Sequence, residues 1–521
     1  MRKSLNTPTR RWTVLIIAST VMMMGYVFWD IVSPLSTTLK ASPTEGGMGW
    51  TAAEYGFYAG SYSIFNIFLL MLFFGGIILD KCGIRFTGLL ATGMMLGGAA
   101  VNYLAVTLIP CDHYVDLSFT LFGLIPSHMK VQVMVAAVGF GLFGVGCDIT
   151  GITISKIVTK WFTGRELATA MGIQVAMARL GTASAISMSP VIANAFDLSA
   201  PILAGTALLL MGFVLFIIYV VMDKRFDREE RTPGKKSEGL EKSEHSEYSD
   251  YSEHSEYSEY SEYSDYSEYS EYSDYSELSE KSEHSEHSEH SGESNHSAVR
   301  DEDNFTMRDF LTMLRNPGFW LIALLCVAFY SSLRPFLKFA TDVLVNKYGM
   351  EKETAGWVVS ILPYGTIVLT PLFGILYDRV GRGSLLMLTG CVIVTVCHVC
   401  LALPIIEHTC VASVVMVLYG VAFSLVPSAM WPSVPKIVPL KQLGTAYSII
   451  YYVQNIGLML VPMLVGNIIC QHTDAAGHVD YTLPMMVFAL FGAASILLAL
   501  LLMISDSRHH YGLWERNIKK S

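Results

Sequence analysis

Apolar residues in this chain gather into long unbroken runs. They do not alternate as in strands, nor keep to one face as in water-soluble helices. Twelve runs approach or exceed the roughly 20 residues that a helix needs to cross a bilayer. They fall near 12–39, 55–79, 86–110, 131–158, 167–195, 200–222, 317–345, 354–376, 384–405, 410–434, 445–469 and 482–504. The pattern predicts an all-α membrane protein with twelve transmembrane helices in two sets of six. The first set occupies 1–222 and the second 317–505, with a linker over 223–316 and a tail over 506–521. The first run lacks a small-residue cleavage site and is too long for a signal peptide, so it reads as a retained span.

Basic residues sort to one set of loops. The N-terminal tail, the loops after spans two, four, eight and ten, and the C-terminal tail together hold 17 Lys and Arg, against four in the opposite loops (Lys40, Lys130, Lys347 and Lys352). By the positive-inside rule the first set faces the cytoplasm, with both termini and the linker. A cell-membrane protein is the expected setting, working as a monomer in contact with the lipid bilayer.

Composition sharpens this picture. The chain is 52% hydrophobic and 15% charged, with a mean hydropathy of +0.44, too apolar for a soluble globule. The net charge of −10 is misleading, because residues 227–303 hold 25 of the 45 acids and 7 of the 35 bases. That segment carries −18 and the remainder +8. From Ser243 to Ser291 it repeats Ser-Glu-Tyr, Ser-Asp-Tyr or Ser-Glu-His with a period of three, which suits neither helix nor strand. It reads as a disordered, solvated tether. The scattered bases of the remainder do not form a nucleic-acid surface. Nine cysteines include a Cys397/Cys400 spacing, but it lies inside an apolar run without a second pair. No metal site or cofactor is expected. With no nucleotide loop or nucleophile elbow either, the chain is not expected to be an enzyme.

Charges inside the spans are the candidate chemistry, since each costs about 2.5–3.5 kcal/mol to insert. Asp148 in span four and Arg179 in span five lie 15 and 16 residues from the midpoint of the loop Lys160–Glu166 that joins them. At about 1.5 Å per residue both sit roughly 20 Å from that loop, near the bilayer midplane. An acid and a base at one depth on adjacent helices suit a zwitterion. Asp30 in span one and Arg334 in span seven occupy comparable places and can pair across the halves as a gate. Lys338 lies one turn from Arg334, and either base can alternatively hold a substrate carboxylate. Asp342, a further turn out, reads as snorkelling at the interface. Tyr62, Gln174, Tyr330, Trp431, Tyr451, Tyr452, Gln454 and Asn455 can complete a cavity. Tyr451 and Asn455 share a helix face and are preferred.

The two halves repeat one another. Gly76–Arg85 after span two and Gly374–Gly383 after span eight both read G-x-x-x-D-[KR]-x-G. Asp80, Arg85, Asp378 and Arg379 are therefore expected to take part in gating or coupling. Leu167–Met171 opens span five as Leu443–Tyr447 opens span eleven, aligning Arg179 with Asn455 and Asp148 with Ser428. The acid and base thus occur in one half only, which favours function over scaffolding.

The doubled loop resembles the signature of the major facilitator superfamily. The resemblance covers the chain outside the linker. It implies two pseudo-symmetric six-helix bundles around a central cavity, working by alternating access. Trp161–Leu167 with Met177–Gly181, and Trp431–Pro435 with Leu443–Tyr447 and Gln454–Gly457, further resemble the lysosomal dipeptide carriers of that superfamily and their bacterial relatives. In that family a span-four acid faces the peptide amino terminus and a span-five arginine its carboxylate, which are the positions of Asp148 and Arg179. The animal members have glutamate where this chain has Asp148. The short basic N-terminal tail does not resemble a lysosomal sorting signal, and nothing implies that family's glycoprotein partner. Span one lacks the Glu-x-x-Glu-Arg stretch of the proton-coupled peptide carriers. The expected function is transport of dipeptides or similar small zwitterions. An organic-anion or phosphate-ester exchanger using Arg179, Arg334 and Lys338 is a second reading, which Asp30 and Asp148 oppose by repulsion. A membrane sensor that binds without transport is the third. Flux separates the sensor from the carriers, and dependence on substrate charge separates the two carriers.

Overall fold

In a computed structural model of the protein, the described residues are 8–121, 123–162, 166–231, 307–404, 408–439, 443–474 and 477–516. The repeats over 243–291, the tip of the Lys160–Glu166 loop (163–165) and the side chain of Asp80 lie outside them. The first half comprises α1 (Pro8–Asp30), α2 (Ser36–Lys40), α3 (Ala52–Ser61), α4 (Ile64–Phe68), α5 (Met71–Leu108), α6 (Val131–Phe162), α7 (Leu167–Ala195) and α8 (Ala200–Arg231). The second comprises α9 (Met307–Arg315), α10 (Pro317–Asn346), α11 (Lys352–Val380), α12 (Gly383–Ala402), α13 (Thr409–Ile437), α14 (Leu443–Gln471) and α15 (Thr482–His509). Both halves belong to one compact unit. α8 runs on to Arg231. Helix therefore extends beyond 222, and α9 occupies chain read as linker.

Eleven of the helices are long and apolar enough to cross a membrane. The twelfth crossing is the second one, which is not a single helix. It runs through α3, α4 and the first part of α5, with breaks at Tyr62–Ser63 and Leu69–Leu70. It ends at Gly83, whose φ of +79° turns the chain back into the third crossing. No proline marks the break at Tyr62–Ser63. Instead Ser63 is buried, and its hydroxyl donates to Asn455 Oδ1 of the other half at 2.6 Å. The backbone stays paired through the break, with Ser63 N donating to Gly60 O at 3.3 Å and Ile67 N to Ser63 O at 3.0 Å. The first crossing is interrupted as well, by a 3-10 turn over Ser33–Leu35 that contains Pro34.

The halves meet through α3 on α14 and α7 on α11. A Cβ at Gly56 would lie 2.4 Å from the Pro462 carbonyl oxygen, and one at Gly466 would lie 2.5 Å from that of Ala52. Only glycine permits this approach. Beside it, Tyr55 Oη donates to the Lys338 carbonyl at 2.8 Å, and Asn194 Nδ2 to Glu353 Oε1 at 2.8 Å. A hairpin unforeseen from the sequence, β1 (Tyr114–Asp116) on β2 (His128–Lys130), covers the same end. Next to it, Asn467 Nδ2 donates to Leu124 O across the halves at 2.7 Å. The end away from the repeated loops is therefore closed. Gly56→Val should wedge it open, as overpacking costs about 1–3 kcal/mol. Spin labels on Phe196→Cys and Glu351→Cys should then move apart in double electron–electron resonance.

Candidate functional site

Asp148 and Arg179 lie near the middle of α6 and α7. No hydrogen bond or ion pair joins them among the described residues. Each is held separately and each is partly exposed. Tyr62 Oη donates to Asp148 Oδ1 at 2.7 Å, and Asn66 Nδ2 to Oδ2 at 2.6 Å. These two donors stand on the two sides of the helix break. They reach the acid because α6 has no side chain at Gly144, where a Cβ would lie 2.1 Å from the Tyr62 carbonyl oxygen.

Arg179 stacks on Phe423, with its guanidinium carbon 4.5 Å from the ring centroid. Its buried Nη1 has no hydrogen-bond partner, a costly state for a charged donor unless a ligand completes it. Arg334 sits 5.2 Å from the same Phe423 centroid and 5.0 Å from that of Trp29. Trp29 in turn stacks on Tyr62 at 4.3 Å with the rings 3° from parallel. A continuous chain of contacts thus links Asp148 through Tyr62, Trp29, Arg334 and Phe423 to Arg179.

Asp30 pairs across the halves with Lys338, not Arg334, which corrects the expected pairing. Lys338 Nζ donates to Asp30 Oδ1 at 2.8 Å and to the Trp29 carbonyl at 2.7 Å. Arg334 and Lys338 line one small cavity with Asp30, Trp29 and Tyr62, and of the two bases Lys338 is the one hydrogen-bonded to Asp30. Lys338 is thereby withdrawn from the three-base anion clamp. Asp342 does not snorkel. It is fully buried, accepting from Lys40 Nζ at 2.6 Å, Tyr481 Oη at 2.7 Å, Asn346 Nδ2 at 2.9 Å and Thr37 Oγ1 at 3.0 Å.

Other expected residues divide into two groups. Trp431 stacks on Tyr451 at 5.0 Å and donates to Tyr330 Oη at 3.3 Å. Tyr451 is 43% exposed, about a third of the way along α14. Asn455 Nδ2 donates to the Tyr451 carbonyl at 3.1 Å while its Oδ1 accepts from Ser63. Tyr452 Oη donates to Ile67 O at 3.5 Å. Gln174 is buried and donates to Ser155 Oγ at 3.1 Å, and Gln454 accepts from Cys326 Sγ at 3.4 Å. His398 is buried, with Nδ1 2.6 Å from Tyr419 Oη.

The repeated loops engage their own halves. Arg85 Nε donates to Asp223 Oδ2 at 2.7 Å and pairs with Asp227, and Lys160 Nζ reaches the same two acids at 2.8 and 3.3 Å. Asp378 is half-buried at the end of α11 and Arg379 is exposed. The tail after α15 folds back on this loop: Arg382 N donates to Trp514 O at 3.1 Å, Gly383 N to Leu513 O at 2.8 Å, and Lys436 Nζ to Gly512 O at 3.0 Å.

Sequence reasoning missed Asn66 and Phe423 and did not use Trp29. A lone asparagine in the apolar run after Ile64 was the available signal for Asn66. Phe423 has none, since a phenylalanine in an apolar helix looks the same whether it meets lipid or a guanidinium.

A closed end, broken helices and unpaired charges around a wet space define a multi-pass membrane carrier built from two six-helix bundles. The sequence model described as "Major Facilitator Superfamily" matches residues 14–340 and 336–516. The chain belongs to that superfamily, and it is a transporter, not an enzyme. It is similar to the lysosomal dipeptide transporter MFSD1 of Homo sapiens, at 21% identity over 90% of this chain and 81% of that one. It is likewise similar to the Bos taurus protein of the same name, at 21% identity over 77% and 68%. Among solved structures it shares its fold with the nucleoside transporter NupG (TM-score 0.61, 13% identity, 94% of this chain and 99% of that one). It also resembles a bacterial homologue of the human lysosomal transporter Spinster in an inward-facing, unoccupied state (TM-score 0.56, 11% identity, 99% of each chain).

Proposed function

We propose that the protein carries dipeptides or similar small zwitterions by alternating access. One observation carries the reading: an acid and a base at one depth on adjacent helices, each held in place and neither spent on the other. In this reading Asp148 accepts from the peptide ammonium and Arg179 binds the carboxylate through two parallel bonds. Tyr62 and Asn66 fix the acid. Phe423 fixes the base, and Tyr330, Trp431, Tyr451 and Asn455 form a wall that tolerates varied side chains. The similarity to transporters named for dipeptides supports the same substrate class. Asp30 and Lys338 act as the gate on the closed end, and the repeated loops with Arg85, Asp378 and Arg379 work on the other. The loop-rich positive face is cytoplasmic, with both termini and the linker, in the cell membrane of a monomer. No cofactor is required.

The sharing of Phe423 by Arg179 and Arg334 favours the anion exchanger as the second reading. Thermal stabilisation of the purified protein separates the two. Free dipeptides should raise the melting temperature, while N-acetylated and C-amidated forms of the same peptide should not. Stabilisation by sugar phosphates or dicarboxylates without any by peptides would replace the first reading with the second.

A further inference from the structure

The charges around the cavity do not balance. Asp148, Arg179 and Arg334 are each partly exposed with no ion pair among the described residues, and Asp30 and Lys338 form a matched pair. Asp30 lies within electrostatic reach of Arg334 as well, but no hydrogen bond joins them among the described residues. The five groups sum to one positive charge. A dipeptide with a neutral side chain brings an ammonium to Asp148 and a carboxylate to Arg179, and leaves that charge uncompensated when the site closes. A desolvated unpaired guanidinium is costly.

Arg334 marks where the compensation belongs. It reaches the Phe423 ring that also carries Arg179, so its neighbour on a bound peptide is the residue bearing the terminal carboxylate. Trp29 also lies against it, 5.0 Å from the guanidinium carbon, and a guanidinium held among rings can take a planar carboxylate by two parallel bonds. Building on the dipeptide reading above, we propose that Arg334 selects an acidic side chain on the second residue, so that the preferred substrates are dipeptides ending in Asp or Glu.

The test compares Ala-Glu, Glu-Ala and Ala-Gln by thermal stabilisation and by competition against a labelled dipeptide, in wild type and Arg334→Gln. Ala-Glu should bind the wild type about tenfold or more tighter than Ala-Gln, as one charge-assisted pair predicts, with Glu-Ala between them. In Arg334→Gln that ratio should fall to about one, and Arg334→Lys should retain part of it. Equal or weaker binding of Ala-Glu in the wild type overturns the inference without touching the dipeptide reading. So does a ratio that survives in Arg334→Gln. If no dipeptide binds the wild type, both fall together.

Discussion

Arg179→Lys should weaken dipeptide binding by about 10- to 100-fold, and Asp148→Asn by a similar factor, with uptake falling in step. A hydrogen bond to a charged group contributes about 1.5–3 kcal/mol, and Arg179 offers two in parallel. Lysine keeps the charge but loses the fork and the stacking on Phe423, so the conservative change tests geometry and not charge alone. Asp148→Asn keeps the shape and the contact with Tyr62 but removes the ammonium's counter-charge. The measurement is equilibrium binding of one free dipeptide to purified protein, beside uptake into vesicles. A fall of less than about threefold in both variants would assign the pair to structure and sink the carrier reading.

The second large effect concerns the closed end. Removing one partner of a buried ion pair costs about 3–5 kcal/mol, and about 5.5 kcal/mol carries a two-state equilibrium from one extreme to the other. Asp30→Asn should therefore shift the population strongly away from the arrangement described here. It leaves Lys338 and Arg334 as like charges without an acid. Lys338→Met should be milder, because Arg334 stands close enough to compensate Asp30. The double variant should recover much of the closed population, since neither charge is then left alone. Spin-label distances between Phe196→Cys and Glu351→Cys read all three. A double variant as open as Asp30→Asn would show that the pair does not hold this end shut.

Much of the fold was legible because the bilayer enforces it. A membrane crossing must be a long apolar run, and the paired G-x-x-x-D-[KR]-x-G loops repeat at matching places, so twelve crossings in two sets follow from pattern alone. The second crossing shows the limit. Its run over 55–79 reads as one helix, and only tertiary contacts at Ser63 and Tyr62 reveal the break. Charges were legible as exceptions to the apolar rule, but their partners were not. Lys338 and Arg334 are one turn apart and equivalent by sequence, yet Lys338 bonds Asp30 while Arg334 lies against Trp29 and Phe423. Asp342 was misread for the same reason. Its partners Lys40 and Tyr481 are distant in the chain, so nothing local distinguishes a buried acid from an interfacial one.

The folded-back tail bears on how this protein can be handled. Leu513 is fully buried, and its carbonyl and that of Trp514 satisfy the first backbone N–H groups of the next helix after the loop. The segment is thus a structural strap on the second bundle and not a free end. Fluorescent or affinity fusions that replace residues from Tyr511 onward would compete with a piece of the fold. Fusions placed beyond Arg516 would leave the strap seated.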